Sequence, residues 1–358
     1  MQTIQEIVSF VASTNRCPDF QNILSILQRE IPSRPTPFEF TLNNDIYDKV
    51  TGQSAPPDHD GLAWTRYLVQ AFARLGYDFT VIGGWHLNAL VFDVGEKHIK
   101  KSKSLNEGAV ITDRASFEKY RWPELNVERL APLQIINQEL PDGMKIICCG
   151  FEGVLETVID LVGFENLCLM LYMDPELTSE IFTNVGSRIL NYYEHIVQFD
   201  SVGAIISNDD WGFKTQTMLA PDDMRRLVFP WHEKIVDTAH RAGKPVILHS
   251  CGNAEAIMDD IIQDMKFDGK HSFEDAIVPV EDAIDRWSER IAIIGGIDMD
   301  FLCNRSPMEI KSRTANLVAH SMQKGGIAIG SGNSIPAYVP IENYITMLEC
   351  ALDWSGHV

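Results

Sequence analysis

Short apolar runs rich in β-branched and aromatic residues recur along the chain, and each stops at Gly, Asn, Ser, Asp or another turn-former. In order they are TPFEFTL (36–42), DFTVIGG (78–84), KIICCG (145–150), VGAIISND (202–209), PVILHS (245–250), FDGKHS (267–272), IAIIGG (291–296) and GIAIGSG (326–332). Between them the apolar positions fall three and four residues apart, the spacing of one helix face, as in GLAWTRYLVQAFARLG (61–76), a long pair around 153–197, PDDMRRLVFPWHEKIVDTAHRAG (221–243) and SPMEIKSRTANLVAHSMQKGG (306–326). Ala220-Pro221-Asp222-Asp223 and Ser306-Pro307 are helix starts, and Gly325 is a stop. Strands alternating with helices imply a parallel sheet, and eight such units predict an α/β fold, a (β/α)8 TIM barrel, with a doubly wound open sheet as the alternative. The pattern predicts a single domain over 1–358. Residues 1–35 form a helical extension whose segment 19–30 packs on or caps the barrel, and 85–144 is an insertion between the second and third strands.

Composition narrows the function. Fifty acidic against thirty basic side chains give a net charge of −20, which repels nucleic acid and anionic lipid and points to a small-molecule ligand or a protein partner. No apolar run reaches the roughly 18 residues of a membrane helix, and the first residues lack the marks of a signal peptide. A cytoplasmic protein with reduced thiols is expected, since seven scattered cysteines are not a disulfide framework. The richest loop cluster is TGQSAPPDHDG (51–61), and the most basic run is HIKKSKS (98–104).

In a barrel, chemistry sits where the strands end. His249 and Cys251 in HSCGN offer the imidazole and thiol that zinc favours, and residues two apart on an extended segment point the same way. A buried histidine and cysteine are the alternative. Cys303 and Glu152 are candidates to join them, Cys303 equally placed to be a helix residue. Asp209 and Asp210 close a strand, and alternation sends one toward the barrel and the other toward the loop. His271 and Glu274 stand at or just past the end of the sixth run. These four are candidates to hold substrate or move a proton, against a capping or structural reading. Trp85, Trp211, Phe213 and Tyr338 could wall a pocket, which suits an uncharged or aromatic ligand better than a polyanion. Lys214 and Lys270 are the loop cations placed to meet a carboxylate.

The order NDDWGFKTQ, HSCGN, GKHSFED, GGIDMDFL and GSGNSI followed by VP and EN resembles the uroporphyrinogen decarboxylase superfamily, in its cobalamin-linked methyltransferase branch, from about residue 30 onward. The decarboxylases themselves carry an arginine-rich segment after the first strand and an aspartate after the second. FEFTLNNDI has no arginine, and Trp85 stands at the aspartate's place. The resemblance therefore implies methyl transfer between a small methylated donor or acceptor and methylcobalamin carried by a corrinoid protein, assisted by zinc. His249 and Cys251 match two zinc ligands, while the later cysteine of the pattern is Asn333 here. Trp85, Trp211 and Asn333 are then the candidates for cofactor contact. The insertion 85–144, with HIKKSKS, could serve as a lid or docking surface. The competing expectations are a lyase acting on another substrate and a silent barrel that binds a corrinoid or tetrapyrrole protein.

Overall fold

A computed structural model describes residues 3–14, 16–58, 60–95 and 105–353; HIKKSKS lies outside them. Seven parallel strands run in chain order through one curled sheet: β1 (Phe79–Ile82), β2 (Lys145–Cys149), β3 (Val202–Asn208), β4 (Val246–His249), β5 (Gly269–His271), β6 (Ala292–Ile294) and β7 (Ile327–Ala328). Each coincides with one of the predicted runs. Their residues are buried on both faces almost throughout, which explains why they read as continuous apolar runs rather than alternating ones. Cys148 and Cys149 are core residues.

The first predicted run, 36–42, is not a regular strand. Pro37 has no N–H to give a ladder, and the backbone pairing of the segment is limited to bridges from Pro37 to Ile329 and from Leu42 to Ile335. It still occupies the eighth place. Phe38 N–H donates to Ile329 O at 2.7 Å, and the Phe38 ring stacks on Phe79 of β1 at 5.0 Å. The residues alternate, so Phe38 and Phe40 meet His271 and His249 while Glu39 accepts from Ser331.

At the amino-terminal side, helix Gln21–Leu27 lies within the predicted 19–30 segment and buries Ile23, Ile26 and Leu27. A Cβ on Gly203, early in β3, would strike Phe20, and one on Gly269 in β5 would strike Leu27, so this helix caps the end where the strands begin. Helix Ile4–Ser13 precedes it, started by a Thr3–Glu6 capping box. The region 153–197 holds three helices, Val154–Val162, Phe164–Met173 and Pro175–Ile196, broken at Gly163 and Asp174. No helix among the described residues is long and apolar enough to cross a membrane.

Candidate metal centre

The register of β3 against β4 pairs Asn208 with His249, and Asp209 N–H continues the ladder to His249 O at 2.9 Å. Two residues further along each chain stand Asp210 and Cys251. Cys251 N–H donates to Asp210 Oδ1 at 2.8 Å, and the Cys251 Sγ lies 3.8 Å from His249 Nε2. One donor atom each from Asp210, His249 and Cys251 falls within 4.8 Å of the others. The turn that makes this possible is at Gly252, whose φ of +81° suits glycine and where a Cβ would collide with the Gly212 backbone.

Other side chains hold the three in place. His249 Nδ1 and His271 Nδ1 are 2.7 Å apart and share one proton; with that proton on His249, its Nε2 lone pair faces Cys251. Phe40 stacks on the His249 ring at 4.4 Å and 23°. Cys251 Sγ accepts from Ser272 Oγ–H at 3.7 Å and from Asn333 Nδ2–H at 3.3 Å. Lys270 is buried on the other side of β5, where its Nζ donates to Ser272 O at 2.8 Å and Ser250 O at 3.4 Å.

Burial dominates the titration of this group. It pushes His249 down to about 4, with the Asp210 charge opposing and Lys270 reinforcing. Burial raises the Cys251 thiol, and so does Asp210, while Ser272 and Lys270 pull it back. Lys270 is lowered to about 8 by burial, against the attraction of Cys251, Asp210 and Glu274. A buried neutral imidazole beside a protonated thiol and a carboxylate is a donor set short of positive charge. A divalent cation would supply it.

The candidates from the sequence separate clearly. His249 and Cys251 come together, and Asn333 reaches the sulfur. The third member is Asp210 and not Cys303 or Glu152. Cys303 sits on helix Met299–Asn304 and Glu152 follows β2 beside Phe151 in the wall of a separate cavity; neither joins the cluster. Asp209 turns away from the mouth. It is fully buried, accepts Leu155 N–H at 2.9 Å and Glu156 N–H at 3.0 Å at the start of helix Val154–Val162, and pairs with His232 Nε2 at 2.9 Å. It caps that helix and leaves nothing for a substrate.

Trp211 is also fully buried, packed on Phe229 and edge-on to His232, so it is not a wall of the mouth. His271 lies behind His249 and orients it. Glu274 lines a small cleft with Lys270 and Ser272. Trp85 is half-buried on the short helix Gly84–Leu87, its ring edge-on to Phe40 at 6.1 Å. The sequence reading passed over Phe40, although the two-residue alternation of TPFEFTL put Phe38 and Phe40 on one face.

Comparisons with known proteins agree with this architecture. A methyltransferase from Methanosarcina mazei superposes with a TM-score of 0.68 at 17% identity, over 93% of this chain and 97% of that one, which shows the shared fold. The uroporphyrinogen decarboxylase of Geotalea uraniireducens is 24% identical over 250 residues, 67% of this chain and 70% of that protein. That of Citrifermentans bemidjiense is 25% identical over 251 residues, with the same coverage. The profile of the uroporphyrinogen decarboxylase (URO-D) family matches residues 108–354, and this chain, a parallel barrel with its polar residues gathered at the strand ends, belongs to that family.

Proposed function

We propose that the protein is a methyltransferase that moves a methyl group between a small methylated compound, or an acceptor cofactor, and the cobalamin of a corrinoid partner protein. Zinc would be held by His249, Cys251 and Asp210. The observation that carries this reading is the convergence of imidazole, thiol and carboxylate at the barrel mouth. The residues fit the ion: nitrogen, sulfur and oxygen are its ordinary donors, and three protein ligands leave a position open. His271 fixes the orientation of His249 as outer partners of zinc-bound histidines do. Bound zinc would lower the pKa of a substrate thiol or polarise an ether or alcohol oxygen.

The chain's own groups prepare that site. Asp210 accepts the Cys251 N–H at 2.8 Å, which holds its carboxyl beside the sulfur. Ser272 and Asn333 donate to the sulfur, and the Lys270 charge favours its anion. Phe40 covers one face of His249 and keeps water from it. The same inventory argues against a substrate bearing many carboxylates, which needs several cations. Among the described residues, Lys270 is the cation whose charge reaches both His249 and Cys251, and its Nζ is already engaged by two carbonyls. The likeness in fold to the Methanosarcina methyltransferase supports the same reading.

Elemental analysis of protein purified without chelator should find about one zinc per chain, lost in His249→Ala and in Cys251→Ser. Wild-type protein should also change the cobalt spectrum of methylcobalamin in the presence of a thiol acceptor. Zinc content unaltered by both substitutions would remove the proposed centre. A spectrum that never changes while zinc is bound would favour a binding barrel over a methyltransferase.

A further inference from the structure

Pro57 and Asp58, in the loop cluster, take no part in the metal centre, yet both are held by side chains at the neighbouring helices. Trp64 Nε1–H donates to Pro57 O at 3.1 Å, and Asn88 Nδ2–H donates to Asp58 O at 3.1 Å. These bonds bring the exposed Asp58 to the rim of a cavity of about 530 Å³ whose other walls include Tyr47, Trp64, Trp85 and His86. No lysine or arginine is among the described residues that line it.

His86 adds no positive charge. Its Nδ1 faces Gly83 N–H at 3.2 Å and its Nε2 faces Trp85 Nε1–H at 3.1 Å. A neutral imidazole can accept at one of these nitrogens, whereas an imidazolium would meet a donor at both. Burial acts in the same direction and lowers His86 to about 4. The Trp64 and His86 rings lie 5.0 Å apart and the Trp85 and His86 rings 5.4 Å apart, so three ring systems form one continuous wall.

We propose that this cavity binds a small organic cation, an N-methylated or quaternary ammonium compound. Such an ion is too weakly hydrated to need hydrogen-bond acceptors on every side and is attracted by aromatic π-faces together with a nearby carboxylate. Tryptophan is the strongest of these partners, and the cavity has two. Its volume suits a small metabolite, and the net charge of −20 draws cations toward the protein. The position is informative as well. Trp85 is edge-on to Phe40, which in turn is stacked on His249, so two rings, those of Trp85 and Phe40, lie between a bound cation and a candidate zinc ligand. As the methyl-bearing substrate, the ammonium compound rests on the reading given above. As a bound ligand it stands alone, because none of Asp210, His249 and Cys251 lines this cavity.

Calorimetric titration with choline, set against its uncharged carbon isostere dimethylbutanol, tests the inference on both zinc-loaded and chelator-treated full-length protein. Choline should bind about tenfold more tightly than the isostere, with the same preference in both preparations. Asp58→Asn and Trp85→Leu should each weaken choline several-fold and leave the isostere little changed. Asp58 is exposed, so its substitution leaves the fold intact, which circular dichroism would verify. Equal affinity for the two ligands, no saturable binding of choline, or choline binding indifferent to both substitutions would overturn it. Choline failing to bind to protein that holds zinc would reject the cavity and spare the metal centre.

Discussion

Asn333 donates its side-chain amide to the Cys251 sulfur across 3.3 Å. It stands where the family resemblance leads one to expect a cysteine ligand, and it is still directed at the same sulfur. Since a cysteine is one heavy atom shorter, the sulfur of Asn333→Cys would sit farther from Cys251 than the amide does now. Two thiolates on one tetrahedral zinc, with bonds near 2.3 Å, are roughly 3.8 Å apart, so the space suits a second sulfur ligand. Asn333→Cys should therefore bind zinc at least about tenfold more tightly under reducing conditions, measured by competition with a chromogenic chelator. Affinity equal to wild type would mean that position 333 does not face the ion.

Two residues before Asn333, Ser331 gives both its N–H (2.9 Å) and its Oγ–H (2.6 Å) to the buried Glu39 carboxyl. Burial raises Glu39 from 4.5 to about 8, and the two bonds from Ser331 only partly oppose it. The folded protein therefore holds a proton that the unfolded chain releases above about pH 4.5. The contribution of this group is complete at lower pH and declines as pH rises to about 8, by up to about 1.4 kcal/mol per unit. Glu39→Gln keeps the acceptor for Ser331 N–H and does not ionise. Urea unfolding at pH 5.5 and 7.5 should show wild-type stability falling relative to the variant between the two. A constant difference would mean that Glu39 is ionised in the fold.

The strand runs were legible because both faces of a parallel barrel are apolar and glycine or a small polar residue ends each strand. Pro37 marked the exception: with its N–H missing, 36–42 is joined to the segment after β7 by two bridges and meets β1 through Phe38 stacked on Phe79. His249 and Cys251 were legible because they stand two positions apart, with only Ser250 between them. Asp210 was legible as a site residue but not as their neighbour, since its place beside Cys251 depends on β3 and β4 pairing with Asn208 opposite His249, and no local pattern states a register. The loop carrying Asp58 read as a turn cluster. Its role as a cavity rim arises from the contacts of Trp64, on the helix that follows, and of Asn88, thirty residues further along the chain, and no spacing pattern states either contact.

The adjacent carboxylates Asp209 and Asp210 should separate stability from metal binding. Asp209 accepts two backbone N–H groups and contacts His232 in a fully buried site. Asp209→Asn would turn one acceptor into a donor facing another donor, and leaving buried groups unpaired costs about 2–4 kcal/mol. Asp210 is half-buried at the mouth, where it accepts the Cys251 N–H. Asn at that position keeps an acceptor for this N–H but removes the charge that a divalent ion would seek. Asp209→Asn should therefore unfold at markedly lower urea while the folded fraction still binds zinc. Asp210→Asn should unfold within about 1 kcal/mol of metal-free wild type and bind zinc at least about tenfold more weakly. If Asp209→Asn weakens zinc more than Asp210→Asn does, the roles assigned to the two neighbours are reversed. The alternation that turns one side chain to the helix and the next to the mouth would then be misread.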